Sequence, residues 1–207
     1  MTKTFDTHDA GHLPTYGGPR ARILMTGLAV MLQVVLCAST ARGQNFGEWS
    51  TAVSIDPNRL LVNTSANDGC PIEAPDGLTL FFASNRDVGK PLPDLDIWVA
   101  YRASEDESWS EIERLPDPVN TDANEFCPTP LPGNRLLFVS TRPSACFDGI
   151  TTADIYLTRH HPVHGWLEPE PLCGVNSPAE EFSPSFIEAD GVTMLYFSSN
   201  RAGLHKI

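Results

Sequence analysis

Acidic and basic side chains recur at regular distances along the 207-residue chain. In each of three stretches, an acidic residue precedes a short apolar segment, and an arginine follows the second apolar segment. The acids are Asp68, Glu125 and Glu181, and the arginines are Arg86, Arg142 and Arg201. Such charges can form a polar mouth that recognises a peptide or a sugar, or they can pair within each stretch and fix strand register. Because the same residues recur in every stretch, we favour the paired, structural interpretation.

The other reactive side chains do not form a catalytic or metal-binding pattern. His160, His161 and His164 lie within one short segment, but no carboxylate pattern accompanies them, and Pro162 and Gly165 indicate a turn. The Cys-x-x-Cys spacing of zinc sites, the G-x-S-x-G elbow and a phosphate-binding loop are absent from the sequence. The sequence therefore predicts no catalytic residue, no metal ion and no cofactor.

Four cysteines follow the N-terminal region of the chain. Cys70 and Cys127 occupy equivalent positions in two stretches, where the third has Ser183, so we predict small packing residues rather than nucleophiles. Cys146 and Cys173 each occur in one stretch only and are a candidate disulfide pair. The spacing alone leaves the pairing open.

The N-terminal region has the pattern of an extension followed by a secretory signal peptide. Arg20 and Arg22 precede an apolar run over 23–38, after which small residues follow. The run is shorter than the roughly 20 apolar residues that cross a bilayer, so we expect cleavage near Ala41 or Gly43, with a retained anchor as the alternative. This pattern predicts a periplasmic or secreted bacterial protein.

A repeat organises the rest of the chain. Asn63, Asn120 and Asn176 follow valine in three similar units, and they are 57 and 56 residues apart. Each unit has short apolar segments separated by turn pairs such as Asp76-Gly77, which indicates four antiparallel strands. Apolar residues at helical spacing are missing, so we predict an all-β fold.

These units divide the chain into an N-terminal extension with the signal peptide and one β domain. The boundaries are 1–43 for the first and 44–207 for the second, with repeat units at about 62–118, 119–174 and 175–207. Only about two and a half units are present, because the third stops before its second half. The missing units would come from a longer reading frame or from self-assembly.

Tryptophans recur at Trp49, Trp109 and Trp166, close to the same period as the asparagines. An aromatic side chain at such a position buries about 150–250 Å² between neighbouring modules. We therefore predict a structural role for these three residues. The segment 49–55 is expected to form an outer strand ahead of the first complete unit.

The succession of motifs resembles a known family. Val-Asn, Glu-Phe-x-Pro, Asp-Gly, Leu-Tyr-Phe-Ser-Ser-Asn-Arg and Asp-Ile-Tyr follow one another as in the WD40-like repeat of TolB-type β-propellers from bacterial envelopes. The resemblance covers about residues 49–203. It implies a toroid of about six four-stranded blades, present here in part, with the repeated charges in rings at one end of a central channel.

The charge of the chain argues against some classes of binding partner. The formal net charge is −12, and no lysine or arginine cluster is available for a nucleic acid or an anionic membrane surface. We expect a non-catalytic β-propeller that binds a protein or glycan in the cell envelope. The alternative is the propeller domain of a secreted hydrolase, either a glycosidase or an accessory domain of a peptidase.

Overall fold

The computed structural model describes six parts of the chain. They are residues 47–57, 61–86, 94–148, 150–189, 191–204 and 206–207. The signal peptide predicted within 1–43 lies outside the described residues. Among the described residues there is no helix long and apolar enough to cross a membrane. The chain divides into two compact units, Met1–Ala52 and Val53–Ile207, and all named strands lie in the second.

The second unit contains three antiparallel sheets in chain order. The first sheet has the order β1 (Asp68–Glu73), β2 (Thr79–Ser84), β3 (Asp96–Tyr101) and β4 (Glu111–Arg114). The second sheet contains β5 (Glu125–Leu131), β6 (Arg135–Ser140), β7 (Asp154–His161), β8 (Gly165–Trp166) and β9 (Glu170–Pro171), where β8 and β9 both pair with β7. The third sheet is the hairpin of β10 (Glu181–Ala189) and β11 (Val192–Ser199). The predicted all-β class is confirmed, and no sheet closes on itself.

The hairpins form where the sequence places glycine and asparagine. Gly77, Gly133 and Gly191 have positive φ, and so does Asn134 at 57°, which tight turns between antiparallel strands require. The carboxylate of Asp76 accepts hydrogen bonds from the backbone N–H groups that open β2, at 2.8 and 3.1 Å. These local contacts hold β1 and β2 in register.

The second strand of the first sheet and the second strand of the second sheet are buried on both faces. In β2, Phe81 is 8% exposed and Phe82 1%, and in β6 Leu137 is 3% exposed and Phe138 0%. Each such side chain contributes about 1.5–3 kcal/mol through burial. Successive side chains of these strands point to opposite faces of the sheet, so each strand packs against neighbours on both sides.

Consecutive sheets pack through these alternating side chains. Phe81 of the first sheet belongs to a core cluster with Leu136 and Phe138 of the second. Leu137 of the second sheet belongs to another cluster, against which Phe197 of the third sheet packs. The first sheet thus packs on the second, and the second on the third, with equivalent positions in contact each time.

The tryptophans have different surroundings. Trp109 is buried with Val62 and Phe82 in a cluster of the first sheet, and Trp166 packs half-buried against the cluster between the first and second sheets. Trp49, in the N-terminal unit, is 93% exposed, and residues 47–54 have no regular secondary structure. The strand expected at 49–55 and the packing role of Trp49 are therefore not found.

Candidate functional site

The three recurring acids stand at the first residue of β1, β5 and β10. Shortly after each acid the pairing register shifts, as in a β-bulge, and one residue there has positive φ. That residue is Cys70 (φ 49°), Cys127 (φ 46°) or Ser183 (φ 50°). The bulge separates the acid, at the end of the sheet, from the rest of the strand.

In the second sheet, Glu125 has four hydrogen-bond donors around its carboxylate. Oε1 accepts from Ser140 Oγ at 2.6 Å, from Thr121 Oγ1 at 2.9 Å and from Arg142 Nη2 at 3.2 Å. Oε2 accepts from the backbone N–H of Thr121 at 2.8 Å. The carboxylate joins the Val-Asn-Thr loop to the ends of β5 and β6.

The first sheet has a matching set of contacts. Asp68 accepts hydrogen bonds from Ser84 Oγ at 2.6 Å, from the backbone N–H of Thr64 at 2.6 Å and its hydroxyl at 2.9 Å, and from Arg86 Nη2 at 2.9 Å. The shorter aspartate reaches the same kinds of donors that Glu125 reaches.

In the third sheet, Glu181 accepts from Ser199 Oγ at 2.7 Å, from the Ser177 hydroxyl at 2.7 Å and backbone N–H at 2.9 Å, and from Arg201 Nη2 at 2.8 Å. Serine replaces the threonine of the other two sheets without changing the pattern. The same network therefore occurs in all three sheets.

The arginines of this network also bind the backbone. Arg86 donates to the carbonyls of residues 61 and 62, at 2.6 and 3.0 Å, and Arg142 to those of residues 118 and 119, at 3.1 and 2.6 Å. Arg201 donates to the carbonyl of residue 175 at 2.6 Å. Each guanidinium also lies over an aromatic ring of its own sheet, for example 5.1 Å from the ring centre of Tyr156 in the case of Arg142. These arginines fasten the loop before each sheet to the sheet itself.

Burial decides how much of this network a partner could reach. The side chains of Glu125 and Glu181 are 0% exposed and that of Asp68 is 9% exposed. The six residues predicted as a candidate channel mouth are thus distributed as three separate ion pairs, one in each sheet. Only Arg201, with 38% of its side chain exposed, presents much of its surface to solvent.

The pKa values of two of these carboxyls shift in opposite directions, depending on whether burial or hydrogen bonding prevails. Burial raises the pKa of Glu125 above its ordinary value, and the contacts from Ser140, Thr121 and Arg142 only partly offset it. Burial also acts to raise the pKa of Asp68, but there the hydrogen bonds from its neighbours prevail and lower the pKa. Both carboxyls are held by structural contacts.

One acid lacks the partner that its equivalent has. Asp96, at the start of β3, makes a bidentate ion pair with Arg114, at 2.7 Å for each oxygen. Asp154 is the equivalent first residue of β7. At the position where Arg114 pairs with β3, the residue that pairs with β7 is Pro171. Asp154 is 0% exposed, and neither oxygen accepts a well-formed hydrogen bond from the described residues. Burial raises its pKa, which the nearby hydroxyl of Ser144 offsets only in part.

Two open polar clefts lie beside the Val-Asn-Thr loops. The first, of about 340 Å³, is lined by Ser54, Asn63, Thr64, Ala66 and Asp68. The second, also of about 340 Å³, is lined by Arg114, Asp117, Thr121 and Asp122. Thr64 and Thr121 are equivalent residues, so the clefts share a position but differ in their other residues. Apart from Asp68, the residues that line these clefts were not predicted as site residues, although Asp117 and Asp122, which differ from the equivalent residues of the other stretches, were a usable signal.

The histidine segment forms a local turn. The Nδ1 of His161 accepts the backbone N–H of Val163 at 3.1 Å, and the rings of His161 and His164 stack at 4.6 Å. His160 instead packs edge-on against Trp166 at 5.2 Å. Within the described parts of the chain, no three His, Cys, Asp or Glu side chains converge on a point where a metal ion could bind.

Cysteines are present in two chemical states. Cys146 and Cys173 form a disulfide that ties the loop after β6 to the segment after β9. Cys70 and Cys127 are free thiols. The disulfide joins two segments of the stretch 119–174. In comparisons with protein-family models, curated proteins and solved structures, the chain had no match.

Proposed function

We propose that the three sheets are consecutive blades of a WD40-like, TolB-type β-propeller. In this proposal the protein is exported by a bacterium and binds a protein or glycan of the cell envelope without catalysing a reaction. The blades that complete the toroid come from a longer chain or from other copies of this one.

Regular contacts between sheets support the radial arrangement. The backbone N–H of Glu125 donates to the carbonyl of Leu95 at 2.7 Å, and that of Glu181 donates to the carbonyl of Ala153 at 2.7 Å. The same bond thus connects the first sheet to the second and the second to the third. A propeller requires such a constant step, because each blade is related to the next by one rotation about the channel.

The outward face of the third sheet also fits a further blade. In β2 and β6, Phe81 and Leu137 point toward the following sheet. The equivalent residue in β11 is Tyr196, which is 44% exposed and lies near the exposed Ile187 and Val192. An apolar face at this position is what another blade would cover.

The burial of the recurring carboxylates supports a structural role for them rather than a catalytic one. A glycosidase needs two carboxyl groups that face the substrate, usually about 5–10 Å apart. Here Asp68, Glu125 and Glu181 each bind an arginine of their own sheet, at 2.9, 3.2 and 2.8 Å, and they are almost fully buried. Among the described residues Asp154 has no such partner, but it is also fully buried and lines neither of the two clefts described above.

The cleft lined by Asp117 and Asp122 is the best candidate for partner contact. Both aspartates are exposed, and they lie where this unit departs from the repeat. Residues that differ between modules can select a partner without disturbing the shared framework. A cleft of this polarity favours hydrogen-bonding groups, such as sugar hydroxyls or peptide amides.

Site-specific crosslinking tests the proposal. A photo-crosslinking residue replaces Asp122 in one variant and Asp106, an exposed aspartate of the β3–β4 loop, in the control. Each variant is exposed to isolated peptidoglycan and to envelope proteins. We expect a crosslinked product from position 122 and little or none from position 106. Equal labelling from both positions, or none from position 122, would contradict the binding site.

A parallel assay separates binding from hydrolysis. The purified chain is incubated with peptidoglycan and with chromogenic glycosides and peptides, and released reducing sugars and amines are measured. We expect no release above that of a heat-denatured sample. Turnover that Asp117→Asn or Asp122→Asn abolishes would instead establish the hydrolase alternative, because these two exposed carboxyls line the same cleft.

A further inference from the structure

Two free thiols meet at the boundary between the first and second sheets. Cys70 lies in β1 and Cys127 in β5, and their Sγ atoms are 2.6 Å apart. A disulfide bond is only slightly shorter, at about 2.05 Å. Formation of a bond between these sulfurs therefore requires very little movement.

The bulges explain why these side chains meet. Both cysteines have positive φ at the register shift of their strands, and both precede a proline, Pro71 or Pro128. A bulge redirects the side chain at which it occurs. In the third sheet the equivalent Ser183 has its Oγ 3.9 Å from the sulfur of Cys127. The three residues thus form a row across β1, β5 and β10.

The two thiols differ in exposure and acidity. Cys70 is exposed, and the hydrogen bond from Cys127 lowers the pKa of Cys70 to about 6. Cys127 is less exposed, and the same hydrogen bond, followed by burial, raises its pKa. An exposed thiol with a low pKa beside a second thiol is the arrangement found in redox-sensitive cysteine pairs.

We propose that Cys70 and Cys127 are a redox-active pair, in which Cys70 reacts with an external disulfide and Cys127 then closes a bond between the first and second sheets. The co-reactant is a small disulfide of the glutathione type. This inference depends on the contact between the two sheets and is independent of the binding partner.

The reaction proceeds by two thiol–disulfide exchanges. The Cys70 thiolate attacks one sulfur of the external disulfide, so that a mixed disulfide forms and one small thiolate leaves. The Cys127 sulfur then attacks the Cys70 sulfur, the mixed disulfide breaks and the second small thiolate leaves. The protons of the two cysteines end on the two released thiols. Two protein thiols are oxidised and one external disulfide is reduced, so atoms and electrons balance.

The product would join parts of the chain that no other covalent bond links directly. The disulfide between Cys146 and Cys173 closes a loop of 27 residues inside one repeat unit. A Cys70–Cys127 bond would span 57 residues and connect two different sheets. Oxidation would thus prevent β1 and β5 from separating.

Peptide mapping of the intact chain tests the pair directly. The reduced protein is incubated with oxidised glutathione, remaining thiols are blocked with N-ethylmaleimide, and tryptic peptides are identified by mass spectrometry. We expect the peptides that contain Cys70 and Cys127 to be joined. In Cys127→Ser, glutathione should remain attached to Cys70, because the second exchange cannot occur. The matched variant Cys146→Ser/Cys173→Ser should still form the Cys70–Cys127 link.

Three results would overturn the inference. One is that Cys70 and Cys127 both remain open to N-ethylmaleimide in the oxidised wild-type chain. Another is that either of them pairs with a different cysteine. The third is that the wild-type chain retains glutathione on Cys70 without forming the internal bond.

The pH profile of alkylation provides a second readout, and its first expectation concerns the wild-type chain itself. In the reduced wild-type chain, the rate at which iodoacetamide modifies Cys70 should reach half its maximum near the pKa of about 6. In Cys127→Ala the half-maximum should move upward, since the hydrogen bond that favours the thiolate is lost. An ordinary thiol profile in the wild-type chain would contradict the assignment of Cys70 as the reacting thiol.

Discussion

At the residue scale, the three acid–arginine pairs differ mainly in their access to water. Glu125 and Glu181 are both 0% exposed, but the side chain of Arg142 is 13% exposed and that of Arg201 is 38% exposed. An ion pair that water reaches is screened and contributes little, whereas a buried carboxylate that loses its partner is costly. The equivalent arginines should therefore make unequal contributions to stability.

Arg142→Met should lower the free energy of unfolding by about 3–5 kcal/mol, because Glu125 is left as a buried charge without its partner. Arg201→Met is the matched variant and should cost clearly less, since water can approach Glu181 on that side. Urea denaturation near neutral pH measures both. Below the pKa of Glu125, which burial raises, the carboxyl is protonated and the penalty of Arg142→Met should shrink. Equal losses in the two variants would refute this ranking.

Asp154 provides a second test at the residue scale. Its pKa in the folded chain is raised by burial, so the folded state holds its proton more tightly than the unfolded state does. The resulting stabilisation is complete below the unfolded pKa and is lost as pH rises through the raised folded pKa. At neutral pH, keeping this carboxyl buried is therefore a net cost to stability.

Asp154→Asn should therefore raise the free energy of unfolding near neutral pH by about 1–3 kcal/mol and flatten its decline with pH. Asp96→Asn is the control and should be destabilising, because it removes the ionic partner of Arg114. Urea titrations at several pH values follow both variants. A loss of stability in Asp154→Asn at neutral pH would show that the carboxylate has a partner there.

At the scale of elements, a residue at a recurring position is buried only where a neighbouring strand or apolar cluster packs against it. Trp109 is 7% exposed, packs with Leu80 and Phe82, and lies under the guanidinium of Arg102 at 4.4 Å. Trp49 occupies the same point of the period and is 93% exposed. The same residue type is therefore structural in one element and solvent-exposed in another.

Trp109→Ala should cost about 3–5 kcal/mol of stability, because it opens a cavity in the cluster that covers the first sheet. Trp49→Ala should change the free energy of unfolding by less than about 0.5 kcal/mol. Chemical denaturation followed by far-UV circular dichroism provides the comparison. Similar losses in the two variants would mean that Trp49 is packed in solution.

At the scale of the whole molecule, the third sheet presents an open edge and an apolar face. β11 pairs with β10 along its length and otherwise makes only the Ser199–Lys206 bridge among the described residues. Ile187, Val192 and Tyr196 are 45, 50 and 44% exposed. Open edges with apolar faces favour association between chains.

The purified chain should therefore self-associate as its concentration rises, through contacts that include β11 of two copies. Tyr196→Lys should weaken this association at least about tenfold, because a charge would have to be buried in the contact, whereas Tyr196→Phe should preserve it. Sedimentation velocity over a range of concentrations measures the effect. A monomer at all concentrations, or equal association of both variants, would contradict it.

Local sequence rules accounted for most of the secondary structure. The Asp-Gly and Gly-Asn pairs lie in the hairpin turns, and the continuous apolar runs became β2, β6 and β11. The interpretation of the recurring charges as pairs within each unit also agrees with the contacts of Glu125 and Arg142. Turn geometry and strand alternation depend on neighbours within a few residues, so the sequence carries this information directly.

The sequence by itself determined the all-β class, the positions of the turns and the equivalence of the repeated acids and arginines. Only the tertiary structure decided that no arginine of the described residues pairs with Asp154, that Trp49 is exposed, and that the sulfurs of Cys70 and Cys127 are 2.6 Å apart. These features depend on which strands lie side by side and on how closely two sheets approach. Spacing along the chain does not encode such distances, because many sheet arrangements share the same period.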